Sequence, residues 1–369
     1  MLYLIKQPSS HISAVRVHFP ALDGLRGLAI LLVVLYHNFR FIQYTSFGWL
    51  GVDLFFVLSG YLITCVLMTT IDQENFLRNF YLKRVLRIFP LYYSALAIIL
   101  FITPPLVKKP VLFSYSLNHQ IWLWTFLQNW LYIFRQPDEY GILNHFWSLA
   151  VEEQFYLFWP FIILWMKKPK YLLVFMLLVL IIVFGLRLLI WLQQIESFPY
   201  YNIFTFTRID GICIGSMIAL LQRLSPRFLT KNVPWIVITF AVLNLLFDFI
   251  NGYYNYSLPY LASAGYTTFA LLFGLLVHEA TLEKENWVKS IFSFPLLRFF
   301  GQISFGLYVF HWPLYVLLKP AMLQWLVVNG LSYVELVCSV LISLLAVLLS
   351  TLSYYFFERK FLAMKEKLA

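Results

Sequence analysis

The sequence predicts an all-α integral membrane protein: a bundle of about ten transmembrane helices plus a re-entrant or interfacial helix near 120–134. Three observations predict it. The 369 residues are 61% hydrophobic and 12% charged, with mean hydropathy +0.77, whereas soluble domains average about 25% charged residues. Apolar runs of roughly 17–25 residues, the length that a bilayer core requires, recur along the chain. The basic residues that give the net charge of +10 fall in short clusters between those runs, as positive-inside loops do. No basic domain pattern is present, which argues against a nucleic-acid partner.

In order, the apolar runs lie near 21–43, 47–69, 85–104, 145–166, 171–192, 205–223, 234–250, 259–279, 299–318 and 332–356. The stretch "QIWLWTFLQNWLYIF" at 120–134 is shorter and Trp-rich, as segments at the membrane interface are. With ten spans and both termini cytoplasmic, 19 basic residues fall inside and 5 outside. Making 120–134 a full span inverts everything after it and mixes those charges. The N-terminal segment has no continuous apolar core before Pro20, so no cleaved signal is expected and the first span is retained. Cys65, Cys213 and Cys338 lie far apart in apolar runs, with no disulfide or metal spacing.

Ionisable residues inside spans are costly and mark functional sites by default. Arg26 and His37, in "DGLRGLAILLVVLYH", are eleven residues apart. At 100° per residue they share one helix face, about 16 Å apart along the axis. The topology puts Arg26 near the cytoplasm and His37 in the outer half. Asp53, Glu152 and His311 come to a depth similar to that of His37, in an arrangement where a carboxylate orients a histidine base. Trp147, Tyr308 and His311 belong to the same outer end. Arg208 and Asp210, in "RIDG", form an ion pair at a helix mouth or meet a substrate. At the other end Arg84 and Arg87 are spaced i, i+3 where the third span begins. With Arg26 and Lys83 they make a cationic group suited to phosphates. "GICIG" at 211–215 has the small-xxx-small spacing of close helix packing.

"LDGLRGLAILLVVLYH", "GWLGVDLFFVLSGYLI", "KRVLRIFPLYY", "FWSLAVEEQFYLFWP", "RIDGICIG" and "ISFGLYVFHWPL" resemble, in order, the signatures of the acyltransferase 3 family of integral membrane acyltransferases. The resemblance implies an acyltransferase 3 transmembrane domain over 21–357, between a cytoplasmic N-terminal segment (1–20) and a short cytoplasmic tail (358–369). It implies a multi-pass protein of the inner (cytoplasmic) membrane, in contact with membrane lipid. The activity it implies is O-acylation, with acetyl the expected group, of a cell-surface or secreted glycan from cytoplasmic acyl-coenzyme A. That donor is a co-substrate, with no permanently bound cofactor. Residue by residue, the family's arginine–ten–histidine pair falls on Arg26 and His37, with the histidine essential for transfer. Its paired arginines fall on Arg84 and Arg87, and its carboxylate after Trp-Ser on Glu152. Many relatives carry a C-terminal extracytoplasmic hydrolase-like domain, and a second step performed there would here require a separate partner. Asp53 or Glu152 would orient His37. A covalent acyl-enzyme on Ser59 or Ser148 is the competing mechanism. From another class, a transporter or flippase of a glycolipid or organic anion also fits intramembrane charges and proline-interrupted helices.

Overall fold

The computed structural model describes residues 2–5, 15–109, 111–135, 141–193, 203–225, 233–250 and 265–366. Their regular secondary structure is helical apart from an antiparallel hairpin of β1 (Leu2–Ile5) and β2 (Val15–His18). The long helices are α1 (Pro20–Asn38), α2 (Leu50–Thr70) and α3 (Phe76–Ala97). The stretch 120–134 breaks into α4 (Gln120–Trp124) and α5 (Gln128–Arg135). Then follow α6 (Trp147–Met166), α7 (Pro169–Leu192), α8 (Asp210–Leu224), α9 (Val233–Ile250) and α10 (Tyr266–Thr281). The chain continues through α11 (Pro295–Gln302), α12 (Ser304–Val328), α13 (Val334–Ser353) and α14 (Arg359–Glu366).

Among the described residues, five segments are long and apolar enough to cross a membrane: Pro20–Asn38, Phe47–Thr70, Phe76–Val107, Pro169–Leu192 and Val334–Lys365. The chain is therefore a multi-pass membrane protein, and length and composition support five spans of the expected ten. The other expected spans are split or carry charge. Helix α6 is unbroken but carries Glu152 and Glu153. The run 299–318 is divided by a turn at Ile303 between α11 and α12. The start of the run at 259–279 lies outside the described residues. Neither α4 nor α5, at five and eight residues, reaches across a bilayer core.

Three boundaries differ from the sequence reading. The first helix ends at Asn38, and a 3₁₀ turn over Gln43–Trp49 leads into α2. The third helix begins at Phe76, so Arg84 and Arg87 sit about two and three turns inside it. The basic stretch simply continues the helix beyond the apolar run. The tail expected at 358–369 is helical to Glu366, and α14 packs on α3.

Burial separates the inner and outer faces of the bundle. On α7, Val174, Leu177, Leu178, Ile181 and Ile182 point outward, while Arg187 is completely buried. A buried arginine beneath an apolar exterior fits a lipid-facing helix whose polar groups turn inward.

The "GICIG" motif packs as its spacing predicts. A Cβ at Gly60 would collide with the Ile212 carbonyl oxygen, and one at Gly215 with that of Val57. The backbones of α2 and α8 thus touch where only glycine fits. Gly215→Val is expected to cost about 3 kcal/mol or more through overpacking. It should lower the yield of monodisperse protein on size-exclusion chromatography in detergent, and a wild-type yield and melting point would contradict this seam.

Candidate active site

Helix α6 organises the site. Ser148, Glu152 and Tyr156 lie at i, i+4 and i+8 on it, one face by helical geometry. They cover about 12 Å of helix axis. One end of this face meets a cluster of histidines, and the other meets the basic residues of α3.

At the histidine end, His37 on α1 faces His311 on α12, with His37 Nδ1 3.2 Å from His311 Nε2. The Trp312 and Tyr36 rings flank His37, at centroid distances of 5.1 and 5.0 Å. The His145 ring lies 5.3 Å from that of His311. Tyr308, one turn before His311, donates its hydroxyl to the main-chain carbonyl of His145. Its oxygen then accepts from Ser148 Oγ at 2.6 Å. Helix α12 stays helical through this cluster although Pro313 lies inside it.

At the basic end, Arg84 lies over the Tyr156 ring, 3.7 Å from its centroid. Glu152 accepts from Ser59 Oγ at 3.0 Å and from the Tyr156 hydroxyl at 3.1 Å. Arg26, Lys83, Arg84 and Arg87 all act electrostatically on Lys365 of the terminal helical segment. They therefore form one cationic neighbourhood, which Lys365 joins. Asp23 contacts Arg26 at 3.4 Å and His18 at 2.7 Å, turning the start of α1 toward the same end. Phosphate oxygens are the ligand chemistry that such a group of guanidinium and ammonium donors suits.

Two expected partners of His37 are placed elsewhere. Asp53 pairs with Arg208, Oδ1 to guanidinium at 2.7 Å, deep in the bundle. Glu152 bonds to Ser59 and Tyr156. Among the described residues no hydrogen bond joins His37 to a carboxylate. The four groups expected at one depth thus divide: His37 and His311 meet, and Asp53 and Glu152 each join another network. Depth along an axis is legible in a sequence, but the rotation of each helix toward its neighbours is not.

The ion pair expected between Arg208 and Asp210 is also exchanged. Asp210 pairs with Arg187 at 2.8 Å and accepts from Thr267 Oγ1 at 2.7 Å. Arg187 Nε donates to the Thr207 carbonyl at 2.7 Å and its NH1 to Thr267 at 3.0 Å. Arg208 stacks on the Tyr266 ring at 3.9 Å and lies 5.7 Å from that of Trp147. Arg208 and Asp210 therefore belong to a buried network joining α2, α7, α8 and α10, which Trp147 of α6 borders. Arg187 is one of the intramembrane charges that the sequence marks as a candidate, in "VFGLRLLIW", without giving it a role. Tyr266 and Thr267 carry no such charge, and periodicity does not single them out.

Ser59 and Ser148 both spend their hydroxyl protons on neighbours, Glu152 and Tyr308. Neither is hydrogen-bonded to a histidine base among the described residues, the pairing that an activated serine needs.

Comparison with known proteins places this geometry in context. The model of a family described as "Acyltransferase domain" matches residues 19–355. The peptidoglycan O-acetyltransferase OatA of Listeria monocytogenes is 32% identical over 333 residues, covering 83% of this chain and 51% of that protein. The O-acetyltransferase OatA of Staphylococcus aureus is 31% identical over 365 residues, covering 92% of this chain and 57% of its own length. The chain thus spans about half the length of these relatives. No solved structure matches it.

Proposed function

The chain belongs to the acyltransferase domain family, and from that premise we propose that it is a membrane O-acetyltransferase that acts on a hydroxyl of a cell-envelope glycan. The donor is acetyl-coenzyme A. The names of its relatives make peptidoglycan the first acceptor to test. The observation that carries the reading is the polar face of α6, which links the basic neighbourhood of Arg84 to the histidine cluster through Tyr156, Glu152, Ser148 and Tyr308.

We read the basic end as cytoplasmic, with both termini on that side of the inner membrane and ten spans in all. The excess of inside basic residues supports this orientation. The donor's phosphates sit against Arg84, Arg87, Lys83 and Arg26, and its acyl arm runs along the α6 face toward His37. There His37 takes the proton of the acceptor hydroxyl. The freed oxygen pair bonds to the thioester carbonyl carbon, the carbon–sulfur bond breaks, and the leaving thiolate recovers the proton from His37. The committed hydroxyls of Ser59 and Ser148 favour this direct transfer over an acyl-enzyme. Tyr308 and His311 border the position of the acceptor.

Charge reversal tests the donor end. Arg84→Glu combined with Arg87→Glu is expected to raise KM for acetyl-coenzyme A at least about tenfold, since each lost charge-assisted phosphate contact is worth about 1.5–3 kcal/mol. Acceptor KM should change little. Initial rates with purified protein in detergent measure both, and an unchanged donor KM would remove the phosphate assignment.

A further inference from the structure

The two nitrogens of each facing histidine are distinguishable. His311 Nδ1 lies 3.0 Å from the Leu307 carbonyl oxygen and 2.8 Å from that of Tyr308. A carbonyl only accepts, so His311 Nδ1 carries the hydrogen. Neutral His311 therefore presents a bare lone pair at Nε2. That lone pair faces His37 Nδ1, which also lies 3.0 Å from the Val33 carbonyl oxygen. Both neighbours of His37 Nδ1 are acceptors, so His37 Nδ1 is the protonated nitrogen. Its Nε2 is left bare, and among the described residues it makes no hydrogen bond.

We infer that His311 is the positioning residue of the site: its Nε2 accepts from His37 Nδ1–H, holding the ring in the tautomer whose free Nε2 faces the reacting hydroxyl. This rests on the reading of His37 as the base. The partner that the sequence led one to seek was a carboxylate, which orients a catalytic imidazole and steadies its protonated form. Here a second imidazole, anchored by two main-chain carbonyls of its own helix, takes that place. A neutral acceptor suits a site inside a membrane bundle, where a further buried charge would carry its own desolvation cost. Val33 belongs to the same helix as His37 and turns with it. His311 is the contact that ties the ring to a second helix, and so fixes where Nε2 points relative to α12. When Nε2 gains the proton of the acceptor hydroxyl, the positive charge spreads over a ring whose Nδ1–H already has two acceptors.

The test combines spectroscopy with kinetics. Protein labelled with ¹⁵N-histidine in nanodiscs, with the His37 signals assigned through His37→Gln, should show His37 protonated at Nδ1 and bare at Nε2. A coupling across the hydrogen bond should join His37 Nδ1 to His311 Nε2. His311→Phe should lose the coupling and lower kcat about 10–10²-fold, part of the 10²–10⁴-fold that a general base supplies, with donor KM within about twofold. His311→Gln, whose amide oxygen can accept from Nδ1–H, should recover most of kcat. Wild-type His37 protonated at Nε2, or full kcat in His311→Phe, would overturn the inference. If His311→Phe does not fold, the wild-type spectrum and His311→Gln still decide it. The two readings fail separately: an active His37→Ala removes the base whatever the tautomer, and a wrong tautomer with inactive His37→Ala removes only His311.

Discussion

Purified His37→Ala is expected to transfer acetyl groups at least 10²-fold more slowly than the wild type, and as much as 10⁴-fold, the range that loss of a general base costs. The same holds for His37→Gln, which keeps most of the volume between Tyr36, Trp312 and His311. Both variants should remain monodisperse, because the Nδ1 contacts of His37 are its only hydrogen bonds among the described residues. The core of α1 is formed by other residues, among them Leu22, Leu25, Ile30 and Val33. A folded variant that kept more than about a tenth of wild-type turnover would exclude His37 as the base.

The second large effect concerns stability. Arg187→Met removes the cation whose guanidinium holds Asp210, Thr207 and Thr267 together with its side chain wholly buried. It leaves Asp210 enclosed with one partner fewer. Breaking a buried pair from one side costs about 3–5 kcal/mol, whereas removing both charges is close to neutral. Arg187→Met should therefore melt well below the wild type in detergent, and the double variant Arg187→Met with Asp210→Asn should regain most of the loss. A single variant that melted with the wild type would show that this network does not hold α7 to α8 and α10. The same reasoning applies to Arg208 and Asp53, which pair at 2.7 Å. Arg208 lies against the rings of Tyr266 and of Trp147, the first residue of α6.

The contrast between these two networks explains what the sequence could and could not convey. The apolar runs, the shared face of Arg26 and His37, and the glycine seam at 211–215 follow from residue type and helical period, which act locally. The single helix that carries Arg26 and His37 and the glycine seam survive in the structure, and among the described residues five of the ten runs are long and apolar enough to cross a membrane. Partners do not follow from period. Asp53 and Arg208 are 155 residues apart, and nothing in either neighbourhood says which of Arg187 and Arg208 each aspartate meets. The histidine pair was hidden for the same reason: His37 and His311 are 274 residues apart, and two carboxylates of similar depth offered a more familiar partner. The break in 120–134 left no local mark either. It centres on Phe126, whose φ of 56° is a conformation that a bulky residue adopts only when its surroundings impose it. Those surroundings are Tyr92, Phe89 and Tyr93 of α3, whose rings enclose it.

The central claim is that one bundle takes an acetyl group at its basic end and delivers it at His37. The most direct measurement follows label from acetyl-coenzyme A, carrying a labelled acetyl group, into peptidoglycan fragments in the presence of the purified, liposome-reconstituted protein. The account predicts base-labile label in the saccharide, equimolar release of free coenzyme A thiol, and loss of both in His37→Ala. Glycan or label that crosses the membrane without ester formation, or esterification that persists in folded His37→Ala, would contradict it.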